Sequence, residues 1–356
     1  MNKKALIAMS GGVDSSAAAF FMLREGWDCI GAMMRLYENE DAGIPKGHTC
    51  CSLDDAEDAR AVAFRLGIPF YVFNFKDDFR REVMDRFAAA YERGETPNPC
   101  IDCNRYLKFD RLYHRARELG CDVVVTGHYA RIEQSESGRY LLKKGLDPKK
   151  DQSYVLYCLS QDQLAHTRLP LGGCTKSEIR ALAEREGFCN ARKHDSQDIC
   201  FVPDGNYAAF LDRWTGHTAE PGDFVLPDGE VLGRHRGLRC YTVGQRRGLG
   251  IAYREPLYVL RKDLEKNEVV LSGNDALFSD RLTARDFNWI AFDAPAEPVR
   301  CTACIRYQGR EAPCTVRACA DGTAVVRFDT PQRAITPGQA VVLYDGDTVL
   351  GGGTIC

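Results

Sequence analysis

A short apolar run, Ala5 to Met9, passes directly into Ser10-Gly11-Gly12-Val13-Asp14-Ser15-Ser16 and a helix-forming stretch, Ser15 to Glu25. No other feature constrains the fold as strongly. Glycines let the backbone turn sharply and approach a ligand, and the first N–H groups of a helix have no partner within it. Strand, glycine turn and helix start therefore make an anion site. The Gly-Lys-Ser/Thr of a Walker phosphate loop is missing, which argues against a kinase or GTPase. Asp14 offers a carboxylate for a magnesium ion bridging phosphates. The plainer alternative is an ordinary turn between strand and helix.

The following residues repeat the rhythm. Asp28 to Met34 reads as a strand, Asp54 to Leu66 as a helix, Pro69 to Phe75 as a strand and Asp77 to Tyr91 as a helix. Tyr106 to Leu119 reads as a helix feeding the strand Asp122 to Thr126, and the helix Lys176 to Glu186 closes this half. Such alternation predicts a doubly wound α/β domain, a parallel sheet with helices on both faces and its ligand at the carboxyl ends of the strands. From Pro221 onward, Gly and Pro punctuate short apolar runs: Leu257 to Arg261, Glu268 to Leu271, Thr315 to Arg317, Ala324 to Phe328 and Ala340 to Tyr344. This pattern predicts antiparallel β structure, with a small barrel at the end. The expected units are 1–205, a catalytic domain; 206–280, a small middle domain; and 281–356, a C-terminal barrel-like domain.

The formal net charge of -3 leaves any nucleic-acid contact to local basic patches. No run reaches the roughly 20 apolar residues of a membrane span, and the apolar start is too short for a signal peptide, so a cytoplasmic protein is expected. The 16 cysteines are scattered, without the framework of a small secreted disulfide scaffold.

Two cysteines stand in reactive settings. Thr96-Pro97-Asn98-Pro99-Cys100-Ile101-Asp102-Cys103-Asn104 reads as a rigid turn opening onto a helix, with Arg105 and Lys108 close to Cys103. A helix start and nearby cations favour the thiolate. A second thiol, Cys200, ends the polar stretch Asp195-Ser196-Gln197-Asp198-Ile199. If the fold unites them, the two can exchange sulfur. A structural zinc site is the alternative, since Cys100-x-x-Cys103 has ligand spacing and His48, Cys50 and Cys51 can complete it. Most other cysteines, Cys29, Cys121, Cys158 and Cys240 among them, read as core or surface residues.

The loop Ser10 to Ser16 after a leading strand resembles the PP-loop of the ATP pyrophosphatases, which cleave ATP between the α- and β-phosphates and adenylate a carbonyl oxygen. Further segments in one order resemble a single family, the bacterial-type tRNA-specific 2-thiouridylases. They are Pro97-Asn98-Pro99 with Cys103-Asn104, Thr126-Gly127-His128-Tyr129-Ala130-Arg131, Lys150-Asp151-Gln152-Ser153-Tyr154, Asp195-Ser196 with Ile199-Cys200-Phe201, Tyr241 to Gly248, and Gly351-Gly352-Gly353. The likeness covers nearly the whole chain. It implies that Ala8, Met9, Ser10, Gly11, Gly12, Val13, Asp14, Ser15, Met34 and Gly127 line an ATP site, with Mg2+ accompanying the nucleotide and no resident metal ligands. Cys200 would carry a persulfide delivered by a sulfur carrier or cysteine desulfurase, and Cys103 would be the nucleophile that helps release the sulfur.

By the same resemblance Asn98, Pro99 and Cys100 meet the target uridine, and His128, Lys150, Asp151, Gln152, Arg306, Tyr307 and Gln339 touch the tRNA. The tRNAs implied are those for lysine, glutamate and glutamine. The basic cluster Arg234, His235, Arg236 and Arg239, with Arg246 and Arg247, fits a phosphate-gripping middle domain. Many relatives have aspartate where this chain has Cys100, so the proposed acid-base group is replaced here, with Asp102 two residues on as a substitute. Related thiolation enzymes hold iron–sulfur clusters through three cysteines, which leaves a cluster on Cys100, Cys103 and Cys200 as an alternative. A PP-loop amidoligase adding nitrogen is the rival enzyme, and a non-catalytic RNA-binding or metal-storage protein the rival of another class.

Overall fold

The computed structural model describes residues 3–38, 53–193 and 199–356. Asp195, Ser196 and Asp198, and the zinc candidates His48, Cys50 and Cys51, lie outside the described residues.

The first half is a five-stranded parallel sheet built on β1 (Lys4–Ala8), with α1 (Val13–Arg24) leaving its end. β2 (Asp28–Arg35), α2 (Leu53–Leu66), β3 (Phe70–Asn74) and β4 (Val123–Val125) follow in chain order. The chain then forms β5 (Ala130–Gln134) and β6 (Tyr140–Lys144), which belong to another sheet, before returning to the edge of this one. The edge itself is the two-residue β7 (Thr167–Arg168), and the sheet order is β3-β2-β1-β4-β7. Alternation along a strand sends neighbouring side chains to opposite faces. Leu6 and Val124 therefore pack with Phe79, Phe87, Leu107 and Phe201 on one side. Ala5, Ile7 and Val125 pack with the alanines of α1, Val62 and Ile179 on the other. Each fully buried Leu, Ile or Phe contributes roughly 2 kcal/mol of transfer free energy, so both helix layers are held by burial rather than by helix propensity.

Two long helices depart from simple expectation. The helix over 76–92 contains a π turn at Arg80–Met84. The helix expected from Tyr106 begins earlier, at Pro99, and widens into a π segment, Cys103–Arg111, before resuming as Leu112–Glu118. Its N-terminal signal is local: Pro99 occupies the first turn, where its missing N–H costs nothing, and the Asn98 side chain accepts from the Cys100 N–H.

The middle of the chain forms a four-stranded sheet of β8 (Gly222–Val225), β9 (Val231–His235), β10 (Tyr258–Asp263) and β11 (Glu268–Ser272), in the order β10-β11-β8-β9. Its core is Phe224, Tyr241, Leu257, Val259 and Leu271. The last part comprises β12 (Phe278–Trp289), β13 (Val299–Cys304), β14 (Ala312–Ala318), β15 (Ala324–Arg333), β16 (Ala340–Asp345) and β17 (Thr348–Ile355). Pairing runs β12-β15-β14-β13-β16-β17, and β17 pairs back onto β12, so six antiparallel strands close into a barrel that leaves no edge among them. The hairpin β5–β6 joins this barrel through β17 although its sequence lies in the first half. The triple glycine of β17 allows close approach: a Cβ on Gly351 would sit 2.3 Å from the Asn288 carbonyl oxygen.

Candidate functional site

A cavity of about 820 Å³ opens at the carboxyl ends of β1 and β2, where a doubly wound sheet places its ligand. One wall is the glycine loop, with Met34 and Gly127 beside it. Pro99, Cys100, Cys103 and Lys108 come from the helix over 99–118, and Ile199, Cys200 and Phe201 from the chain leading to the middle domain. Tyr307 and Gln308 of the barrel complete the rim.

The loop is shaped for an anion. Gly12 caps α1 without any side-chain hydrogen bond, which leaves the first helical N–H groups directed at the cavity. Ser15 Oγ donates to the Gly12 carbonyl and accepts from the Ser10 N–H. Buried Asn190 donates to Gly11 O and Ser16 Oγ, both at 2.9 Å, and pins the loop from behind. Gly11 has φ +77° and a Cβ there would lie 2.5 Å from Asp55 O, so it shapes the turn and does not line the cavity. The other nine residues expected at the nucleotide do line it. A Cβ at Gly127 would lie 2.8 Å from the Asp14 backbone, so any larger residue there would press on the loop.

Asp14 has a different position from the one its sequence suggests. Its carboxylate oxygens accept from Lys176 Nζ at 2.8 and 2.7 Å, and Oδ1 also accepts from Tyr129 OH at 2.7 Å. A carboxylate so engaged fits a brace for the loop better than a direct magnesium ligand. Lys176, the second half of this pair, lies 162 residues away and was not singled out in the sequence. Lys193, which lines the cavity and bonds Asp55 and Asp58, was also missed.

Cys103 is nearly buried and packs in the core beneath the sheet, with Cys200 against the same core; both reach the cavity wall. Tyr37 OH donates to the Cys200 carbonyl at 2.5 Å and holds that segment. Asn104 donates to Val155 O and anchors the helix one residue beyond Cys103. Asp102 is absent from the cavity lining; it accepts from Arg86 at 3.3 Å, and burial pushes its carboxyl up against the opposing pull of Arg86. Among the described residues no three His, Cys, Asp or Glu side chains converge as a metal ligand set.

His128 lines the cavity between Lys108 and Thr126. An ammonium only donates, so Lys108 Nζ donates to His128 Nε2 (3.4 Å) and His128 Nδ1–H donates to Thr126 Oγ1 (2.7 Å). Burial, reinforced by the Lys108 charge, holds its pKa well below the ordinary histidine value.

The residues expected at the RNA divide in two. Pro99, Cys100, His128, Lys150, Gln152 and Tyr307 line the cavity. Asn98, Asp151, Arg306 and Gln339 instead hold backbone: Asp151 accepts from Gly145 and Ser153, Arg306 donates to Arg333 O, and Gln339 Nε2 donates to Thr96 O at 2.6 Å. Gln339 belongs to a larger strut. The Thr96 N–H donates to Pro337 O, and Glu95 pairs with Arg285 at 2.9 Å, so the barrel fixes the loop that carries the cysteine helix. The basic cluster divides similarly. Arg234, Arg236, Arg246 and Arg247 are exposed, but His235 accepts from the Gly222 and Gly237 N–H groups inside the fold, and Arg239 is buried against Asp212 and His217 O.

A parallel sheet with a glycine loop between its first strand and helix, opening onto a cavity walled by two sequence-remote cysteines, defines a nucleotide-loop type of α/β protein. Family models described as the tRNA methyl transferase HUP domain, PRC-barrel domain and aminomethyltransferase beta-barrel domain match residues 3–204, 208–273 and 279–355. The tRNA-specific 2-thiouridylase MnmA of Clostridioides difficile is 49% identical over 356 residues, covering 100% of this chain and 98% of the relative. That of Geotalea uraniireducens is 51% identical over 356 residues, covering 99% and 95%. The chain belongs to the family of tRNA-specific 2-thiouridylases.

Proposed function

We propose that this protein replaces the C2 oxygen of the wobble uridine of tRNA by sulfur, consuming ATP. The observation that carries this reading is the single cavity whose wall holds the glycine loop, Cys103 and Cys200 together. ATP binds with its phosphates on the N–H groups at Gly12 to Ser15. Its α-phosphorus accepts the uridine O2, pyrophosphate leaves, and the oxygen becomes part of a good leaving group. Cys200 holds the sulfur as a persulfide supplied by a carrier protein or desulfurase. The Cys103 thiolate attacks the inner sulfur, forming a Cys103–Cys200 disulfide and expelling hydrosulfide. Hydrosulfide adds at C2, and AMP departs with the former uridine oxygen. The Lys108 ammonium, oriented by neutral His128 on the same wall, offers donors to the nucleotide or base.

The uridine must leave the anticodon stack to enter, at a cost of a few kcal/mol that contacts elsewhere on the RNA offset. The exposed arginines of the middle domain supply phosphate contacts of that kind. The substrates on this reading are the tRNAs for lysine, glutamate and glutamine, and the reaction takes place in the cytoplasm. Magnesium accompanies the triphosphate as its counterion. The test is nucleoside mass spectrometry of unmodified tRNA after incubation with protein, ATP and a persulfide donor. 2-Thiouridine should form only when all three are present; its formation without ATP would end this reading.

A further inference from the structure

The cavity wall carries a third thiol that the proposed reaction leaves unused. Cys100 lies one turn before Cys103 on the same continuous helix, at the i, i+3 spacing that brings side chains onto one face. The two differ in access: Cys100 is exposed, whereas Cys103 is nearly buried and Cys200 partly so. Cys158, which donates to Ile101 O of the same helix, is sealed in a separate core and is not a competitor. Cys100 stands on a braced turn, with its N–H capped by Asn98 and the preceding loop tied to the barrel.

Resting on the proposed sulfur transfer, we infer that Cys100 is the resolving thiol of the cycle. Each turnover ends with Cys103 and Cys200 joined, which blocks both the nucleophile and the persulfide carrier. The Cys100 thiolate attacks the Cys103 sulfur; a Cys100–Cys103 disulfide forms and Cys200 leaves as a thiolate. Cys200 is then ready for the next sulfur, and its proton balance is closed by the solvent. An external dithiol reductant takes the two oxidising equivalents by exchange at the exposed Cys100 sulfur, leaving itself as a disulfide and both cysteines as thiols. The arrangement moves the oxidised bond from the cavity interior to its rim, where a protein reductant has access. The i, i+3 neighbours stand about 5–6 Å apart at Cβ, and a disulfide needs about 3.5–4.5 Å, so closure requires only a local shift in the first turn.

Disulfide mapping tests this with the full chain. Protein, tRNA, ATP and a persulfide donor are mixed without added reductant, quenched in acid, alkylated and digested with trypsin. Cys100 and Cys103 share the tryptic peptide 94–105, whereas Cys200 lies in 194–213. The expected product is peptide 94–105 lighter by two hydrogens and protected from alkylation, with Cys200 alkylated. In Cys100→Ser the cross-linked pair of peptides should replace it. If the native protein, having made 2-thiouridine, accumulates the 94–105/194–213 cross-link with Cys100 alkylated, Cys100 resolves nothing and the inference is overturned while the thiolation reading stands. If 2-thiouridine forms with every one of these thiols fully alkylated, the disulfide-forming mechanism itself is wrong, and the inference falls with it.

Discussion

Two pairs of cysteines in this molecule each share one location in the fold, and one of the pairs lies on a cavity wall. Cys301 and Cys314 face each other across β13 and β14 with their sulfurs 3.6 Å apart. They are buried among Val316, Val326 and Phe328, and their mutual contact pushes the Cys314 thiol above its ordinary range and the Cys301 thiol below it. Cys103 and Cys200 are 97 positions apart in sequence, meet at a cavity wall and share it with a phosphate-binding loop and the Lys108 ammonium. A shared location is common to both pairs. Burial and a neighbouring cation do not separate them, since Cys301 and Cys103 are 8% and 9% exposed and Arg300 acts on the barrel thiols; what distinguishes the second pair is the cavity beside it, which gives a reacting partner a place.

Substitutions should separate the two pairs sharply. Replacing Cys103 or Cys200 by serine is expected to lower 2-thiouridine formation about a thousandfold or more, the scale for losing an obligatory nucleophile, as read by nucleoside mass spectrometry. Lys176→Met is next. It removes the charged partner of Asp14 beneath the loop and should cost on the order of 2–3 kcal/mol in urea unfolding while raising the KM for ATP; unchanged values of both would refute the brace.

Acid should act at the cavity through His128. Its pKa is depressed in the folded state, so below the unfolded value of about 6.5 the unfolded chain binds the extra proton and the native state does not. This contribution to stability is complete above that pH and is lost as pH falls, at up to about 1.4 kcal/mol per pH unit until the folded pKa is reached. Unfolding midpoints measured from pH 7 to 5 should therefore fall less steeply in His128→Gln than in the native protein. The smallest effect belongs to the barrel pair: Cys314→Ala should change stability by about 1 kcal/mol and leave thiolation turnover unaltered. A loss of turnover there would mean that the barrel thiols also take part.

The sequence reveals what is encoded locally. The strand, glycine loop and helix at residues 4–24 are legible because each element carries its own signal within a dozen residues. The cavity was expected to unite Cys103 and Cys200, but only the resemblance, not their spacing, pointed there. Three features escaped for a common reason, being set by partners remote in sequence or by backbone register. The pairing of hairpin β5–β6 with β17 joins residues about 200 positions apart. Lys176 reads only as the first residue of a helix until the fold delivers it to Asp14. The π segment at Cys103–Arg111 changes which side chains share a face, and a pattern judged at 3.6 residues per turn does not register it. Gln339, Arg306 and Asp151 show a related effect, since each of these polar residues expected at the RNA also bonds backbone, a role the sequence does not display.

The central claim is that ATP activates the uridine oxygen that sulfur then displaces. It is tested most directly with tRNA carrying oxygen-18 at C2 of the wobble uridine, incubated with protein, ATP and persulfide donor, followed by mass analysis of the AMP. The account predicts that the heavy oxygen appears in the AMP phosphate, in step with 2-thiouridine. AMP containing only ordinary oxygen while 2-thiouridine accumulates would contradict it.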